Sequence, residues 1–513
     1  MPEAPPESAE KKFRPTGFDE AGPSVTTSLA EARRAQADWA TTTLADRLRW
    51  VRRLRSLIAE NCEWLAGETG KSRSRPAAEI LTTEVLPLAE ACRFLEANAH
   101  WLLSPKAVAS PGRPIWLRRV ATFIERDPLG VILVIGPSNY PLFLPAVQAL
   151  QALVAGNSVL VKPAPGAGAA VGAFVDLAGK AGLPDGLLQV LSSDKAVAAE
   201  AISLKVDKVF LTGSHETGRA VYAECAKAMT PAVMELSGCD AVVVAEDADL
   251  DLTVRAIVFG LRLNAGNTCI SPRRVFVHRS IAKEFEARLV KALSIGESIE
   301  VTGKMASFLK GLLTEAVADG ARLCLGQSRP DGSIAGPVVL ADARQEMRLL
   351  NEDVFAPVLS LVSVASDVEA IKQANACEYQ LGASVFSRNL SRARRIASSL
   401  RAGCVTVNDL VAPTADPRAP FGGTARSGFG TTRGVEGLLE MTRPRAILEH
   451  RGSFRPHFYP AQSGDLALFS AFTRLLHLQG MGKRWRAFVQ LVRSARRRGK
   501  DRAEASPNPR KKS

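Results

Sequence analysis

The chain has 513 residues, of which 46% are apolar and 23% charged, and it carries a net charge of +14. This length and apolar content can supply two or three domains, each with a core of its own. Eight scattered cysteines with no C-x-x-C pair argue against a disulfide framework and a clustered metal site, and no run of about eighteen apolar residues marks a spanning helix. The charge is uneven. Residues 451–513 hold eleven Arg and four Lys against two Asp and one Glu, a net +12, which leaves about +2 for the first 450 residues. The basic character belongs to a tail, so charge gives a nucleic-acid role for the body no support.

Residues 1–24 are rich in Pro and Glu without periodicity and read as a disordered arm. The start, Met1-Pro2-Glu3-Ala4, lacks the apolar stretch of a signal peptide, which makes a reducing cytoplasm the expected compartment, where a thiol stays free. Helical signals follow over 28–100: Leu44, Leu48, Val51, Leu54 and Ile58 recur at helical spacing with arginines between them. From Gly130 the pattern changes to short β-branched runs separated by Ala- and Leu-rich stretches. The runs are 131–135, 159–161, 206–211 and 241–244, and a second series comprises 275–277, 358–362 and 404–407. Apolar strands alternating with helices predict parallel sheets covered on both faces. The expected fold is therefore α/β, with two α/β units in tandem and a boundary just after Glu235.

Chemistry-bearing segments lie at the ends of these predicted strands. Gly136-Pro137-Ser138-Asn139-Tyr140-Pro141 closes the first, and the Asn139 amide can donate to a developing oxyanion; alone, it reads more readily as a turn asparagine. Lys162 ends the next strand, at the edge where ligands bind in such sheets, although a lone lysine is more often solvated surface. Gly213-Ser214-His215-Glu216-Thr217-Gly218 follows a strand and opens a helix, offering free N–H groups to a phosphate; an ordinary strand–helix turn fits equally well. Glu235 stands in Met234-Glu235-Leu236-Ser237-Gly238. Thirty-four residues later Cys269 sits in Asn264-Ala265-Gly266-Asn267-Thr268-Cys269-Ile270-Ser271, poor core composition and good composition for a loop presenting a thiol. A thiol nucleophile and a carboxylate base are the minimum for covalent catalysis with a hydrolytic second step. Asn351-Glu352-Asp353-Val354-Phe355 and the glycine-rich 420–428 have no specific meaning alone.

Taken together, in order and spacing, these segments resemble the NAD(P)-dependent aldehyde dehydrogenase superfamily over residues 25–450, nearest to its class 3 and fatty-aldehyde branch. The resemblance implies two doubly wound parallel-sheet domains, one Rossmann-like for the cofactor (25–235) and one catalytic (236–408). It also implies an oligomerisation segment near 106–126, a return to the cofactor domain over 409–450, and a homodimer. In roles, it implies Asn139 as oxyanion donor, Cys269 as nucleophile and Glu235 as general base. Ile135, Pro137, Lys162, Gly213, Ser214, Gly218, Leu236, Asp353 and Phe355 match positions that hold NAD or NADP; no metal is implied. The implied reaction converts an aldehyde, expected to be long-chain or apolar, to the acid through a thioester. The alternatives are acyl transfer to coenzyme A, which family members with a carboxylate at Glu235 generally do not perform, and a non-catalytic membrane-associated scaffold.

Several positions depart from the pattern. Pro165 stands where a ribose-contacting glutamate is usual, which leaves the choice between NAD and NADP open. Asp353 replaces a glutamate, Cys239 a lysine, Ser138 a tryptophan and Asn267 a glutamine. None removes a group the reaction requires.

The tail, 451–513, is expected to be a basic helical extension. Over 481–498, Met481, Trp485, Phe488, Val489 and Val492 share one helical face among arginines, and the apolar stretch 466–472 precedes it. Such a helix reads as a membrane-surface element through 466–498, in which case the protein is peripheral at the cytoplasmic membrane, or as a helix packed on the body or a partner subunit.

Overall fold

The computed structural model describes residues 23–504 apart from 74, 454, 459 and 463; the arm expected over 1–24 lies outside the described residues but for its last two. Two compact units emerge: one takes residues up to Ala107 with Phe123–Ile447, the other Val108–Thr122 with the residues from Leu448 onward. Both large sheets belong to the first unit.

A six-stranded sheet runs in the order 428–429, 232–236, 208–213, 131–135, 158–162, 188–190. All neighbours are parallel except the edge strand Gly428–Phe429. Val131–Ile135 and Ser158–Lys162 are buried along their whole length, as continuous apolar strands between helical layers must be. Ile135 pairs with Lys162 and Leu211, and Gly213 with Leu236, so the strands ending in Ile135, Lys162, Gly213 and Leu236 finish along one carboxyl edge.

The chain crosses to the eight-stranded sheet within residues 237–239, since Leu236 ends the first sheet and Asp240 begins the second. The second sheet runs in the order 299–301, 334–341, 358–364, 272–278, 240–244, 382–386, 404–407, with 322–328 paired to 334–341. The strands from 334–341 through 404–407 in this order are parallel, and 299–301 and 322–328 pair antiparallel with 334–341. Composition identified seven of these fourteen strands but not Leu188–Val190, Ala232–Leu236, Ile299–Val301, Arg322–Ser328, Ile334–Ala341, Gly382–Phe386 or Gly428–Phe429.

The helical segment before Val120 braces the first sheet. Leu44–Glu60 buries Trp50, Val51, Leu54 and Ile58 against it. Glu84 has no exposed surface and pairs with Arg75 at 2.5 Å. Its other carboxylate oxygen accepts the N–H groups of Leu142 and Phe143 at 2.9 and 3.2 Å. The buried pair thereby satisfies orphan donors at the start of the helix Phe143–Val154 and fixes the loop that carries Asn139.

In the second unit the helices Asp465–His477 and Met481–Glu504 pack as a hairpin, with Arg474 Nη1 donating to Gln490 and Arg484 Nε to the Leu475 carbonyl. Trp116 meets Phe472 edge to face at 6.0 Å. The apolar face expected for the last helix is present but open: Met481, Trp485 and Phe488 are exposed, and the two rings stack at 5.5 Å. No helix of the described residues is long and apolar enough to cross a membrane.

Candidate active site

Cys269 lies on the turn between the helix Leu250–Arg262 and the strand Pro272–His278. That turn is bent tightly. Asn264 and Ala265 adopt left-handed backbone (φ 49° and 52°) and Gly266 follows at 75°. A Cβ on Gly266 would stand 2.6 Å from the Pro357 nitrogen, so only glycine fits there. Arg273 anchors the bend from below, donating to the Gly266 and Ala356 carbonyls at 2.6 Å each. Ser271 ties the other side to the Gly260 carbonyl at 3.1 Å. The loop composition pointed to a loop of small, flexible residues; the turn that carries the partly exposed thiol is strained and well anchored.

Asn139 is buried beside the same turn. Its Nδ2 donates to the Asn267 carbonyl at 3.0 Å, and Asn264 Nδ2 donates to the Asn139 carbonyl at 2.9 Å. Tyr140 OH and Thr268 Oγ1 meet at 2.7 Å. A primary amide carries two N–H bonds, so one remains for a ligand oxygen once Asn267 is served.

Glu235 reaches the site from the strand Ala232–Leu236. Its Oε2 accepts from Thr432 at 3.0 Å, while its Oε1 is buried without a partner. The returning segment holds this end of the strand in place. Leu236 N–H donates to the Ser427 carbonyl at 3.0 Å, and Gly428 pairs with Glu235. A Cβ on Gly428 would fall 1.9 Å from the Met234 carbonyl oxygen.

Glu235 and Cys269 open into one cavity of about 620 Å³, walled largely by apolar groups such as Phe143, Leu144, Val258, Phe259, Leu263 and Phe421. Burial raises the Glu235 carboxyl above its ordinary value, opposed by Arg433 and the Thr432 hydroxyl. Burial also pushes the Cys269 thiol well up, reinforced by the carboxylates of Glu235 and Asp240 and opposed by Arg433 and the Ile270 N–H. Burial thus works against ionisation of both groups.

The residues matched to the cofactor lie apart from the cavity wall, most of them on the carboxyl edge of the six-stranded sheet. Ile135, Lys162, Gly213 and Leu236 end their strands, and Pro137 follows the first. Ser214 caps the helix His215–Ala228, accepting from Thr217 N–H at 3.2 Å. A Cβ on Gly218 would meet Leu236 Cδ2 at 2.5 Å, so the glycine lets this helix lie close to the strand. Asp353 precedes the strand Val358–Val364, with Phe355 half-buried two residues on. Burial raises the Asp353 carboxyl to about 6, opposed by Ser237 and Arg273, and its Oδ1 is buried without a partner. A strand edge, a capped helix N-terminus and an orphaned acceptor fit a dinucleotide: N–H groups for phosphate and a carboxylate for a ribose hydroxyl. Among the described residues no group of three His, Cys, Asp or Glu side chains could hold a metal.

Two residues at the cavity escaped the sequence reading. Thr432 binds Glu235, and Arg433 lines the cavity with its guanidinium 4.2 Å above the Phe421 ring. Both come almost two hundred residues after Glu235, in Gly430-Thr431-Thr432-Arg433-Gly434. A bulky residue between glycines was the one available signal.

A doubly wound sheet with a dinucleotide-type edge, beside a cavity carrying a thiol and a carboxylate, is the arrangement of a nicotinamide-dependent oxidoreductase. The chain belongs to the aldehyde dehydrogenase family, whose sequence profile matches residues 19–447. It is an NAD- or NADP-dependent enzyme that oxidises aldehydes. Similar proteins include a 4,4'-diapolycopene aldehyde oxidase of a Methylomonas species, 32% identical, the alignment covering 88% of this chain and 86% of the relative. A putative NADP-dependent succinate-semialdehyde dehydrogenase of Mycolicibacterium smegmatis is 34% identical, with 83% and 84% covered. Among solved structures, betaine aldehyde dehydrogenase from Staphylococcus aureus in complex with NAD+ superposes with a TM-score of 0.77 at 26% identity, covering 85% of this chain and 89% of that one.

Proposed function

We propose that the chain oxidises an apolar, long-chain aldehyde to its carboxylic acid, with Cys269, Glu235 and Asn139 as the acting groups. The single observation behind this reading is the 620 Å³ cavity: Cys269 and Glu235 share it, and aromatic and aliphatic side chains form most of its wall. In the proposed mechanism the Cys269 thiolate adds to the aldehyde carbon. The second N–H of the Asn139 amide and the backbone N–H of Cys269 hold the oxyanion of the tetrahedral adduct. The strand edge, Ser214 and Asp353 would hold NAD(P), which when bound would supply a hydride acceptor for oxidation of the adduct to the acyl level. Glu235, with Oε1 unengaged, then takes a proton from water as that water adds to the thioester, releasing the acid and the thiolate.

The apolar preference has further support. One relative is named for a polyene aldehyde, and the fatty-aldehyde likeness of the motifs points the same way, although other relatives are named for succinate semialdehyde and betaine aldehyde. A panel of aldehydes of increasing chain length tests it. kcat/KM is expected to rise about threefold to fourfold per buried methylene, from about 0.8 kcal/mol each, until the cavity is filled. A preference for short or carboxylated aldehydes contradicts the reading. Free acid, rather than a coenzyme A thioester, is the expected product.

The second unit fits a role in delivering such substrates. The exposed Met481, Trp485 and Phe488 lie on a helix rich in arginine, as suits contact with an anionic membrane surface. Full-length protein is expected to sediment with anionic vesicles, and a chain ending at Glu449 to remain in solution; equal binding by both rejects the membrane role. A homodimer at the cytoplasmic face of the membrane completes this proposal.

A further inference from the structure

Arg433 is the residue at the active cavity whose placement the mechanism above does not use. It is 5% exposed, and its backbone adopts a left-handed conformation (φ 61°), which is strained for a bulky side chain. Gly434 follows at the same φ, where a Cβ would stand 2.9 Å from the Arg418 carbonyl oxygen, so the turn cannot easily relax. Within the cavity wall the guanidinium lies over Phe421, and one Nη donates to the Thr414 carbonyl at 2.6 Å. Its Nε is buried with no partner. Burying a cation this way is costly without a compensating anion, and no carboxylate of the described residues forms a direct ion pair with it. The acidic groups beside it are the Glu235 carboxyl and the thiols of Cys269 and Cys404, and Glu235 and Cys269 share its cavity.

The other charged and titratable groups near Cys269 do not serve this purpose. Glu235 and Asp240 oppose a thiolate, and Tyr140 is hydrogen-bonded to Thr268. Arg273 faces Asp353 and is tied to the Gly266 and Ala356 carbonyls. Farther along the cavity wall, Glu79 pairs with Arg75, and Arg262 donates to the carbonyls of Leu293, Ile295 and Glu297.

We propose that Arg433 is an electrostatic positioning residue, a fixed buried cation that lets Glu235 and the Cys269 thiolate exist as anions together in an apolar cavity. The inference rests on the reading of Cys269 and Glu235 given above. It explains why a strained backbone and an unpartnered Nε persist there: the cation serves two groups that must each be ionised at some point in turnover. It also supplies what the apolar wall lacks, since a cavity built for an apolar substrate disfavours every charge the chemistry needs.

The test reads Cys269 directly. Alkylation by iodoacetamide is followed against pH on the whole protein, with modification at Cys269 counted by mass spectrometry. In Arg433→Met the midpoint is expected to rise by about one pH unit or more, so the rate near neutral pH falls about tenfold. Arg433→Lys, which keeps the charge, is expected to stay near the parent. Arg433→Gln, whose amide can keep the Thr414 bond, gives the same readout if the methionine variant does not fold. A folded neutral variant with an unmoved midpoint, or a lysine variant that behaves like the neutral ones, overturns the proposal. Because alkylation needs no turnover, this failure is distinct from failure of the parent reading, which appears as aldehyde oxidation persisting in Cys269→Ala.

Discussion

Replacing Cys269 with alanine is expected to lower aldehyde oxidation by a factor on the order of 10⁴ or more, while the affinity for NAD or NADP stays within about twofold. The size follows from the chemistry. No hydride can leave an aldehyde carbon until a nucleophile has made it tetrahedral, and Cys269 is the only thiol lining the cavity among the described residues. Affinity for the cofactor survives because the strand ends at Ile135, Lys162, Gly213 and Leu236, the Ser214 cap and Asp353 share no hydrogen bond with the Cys269 side chain. Cofactor binding measured by fluorescence alongside steady-state rates checks both halves. A serine in place of Cys269 restores little, because a hydroxyl is far less acidic than a thiol and the cavity already disfavours anions.

Glu235→Gln is expected to reduce steady-state turnover about 10²–10⁴-fold, with the loss confined to the hydrolytic half of the cycle. Glutamine preserves the volume and can keep a contact with Thr432, so the loop and the wall remain in place. It cannot take a proton from water. In the parent the raised Glu235 carboxyl means that hydrolysis weakens as pH falls through its pKa, since the base must be ionised. The glutamine variant should lose that acid limb while keeping the thiol-dependent rise with pH. Steady-state pH profiles of the two proteins show the difference.

Much of this site was legible in the sequence because the relevant signals are local. The Asn139 and Cys269 segments combine a functional side chain with prolines or small residues that force a turn, and both lie at bent, anchored turns. The strand ends at Ile135, Lys162 and Gly213 follow from β-branched runs closed by glycine, lysine or proline. What could not be read depends on distant parts of the chain meeting. The partner of Glu235 arrives from Thr432, the support beneath Gly266 from Arg273 and Pro357, and the brace on the Asn139 loop from Arg75 and Glu84. Ala232–Leu236 was missed as a strand because the charged Glu235 interrupts its apolar run; the strand tolerates it because the carboxylate turns toward the cavity and Thr432. Pairing of Val108–Thr122 with the basic tail in one compact unit was invisible for the same reason, since more than three hundred residues separate them.

The central claim is that a thioester forms on Cys269 and that Glu235 drives its hydrolysis. The most direct measurement mixes Glu235→Gln protein with NAD or NADP and an apolar aldehyde, follows reduced cofactor by rapid mixing, and determines the intact mass of the quenched protein. The account predicts a burst of about one reduced cofactor per site, with the acyl mass added at Cys269 and a slow steady state afterwards. No burst and no adduct, or full steady-state turnover without Glu235, contradicts it.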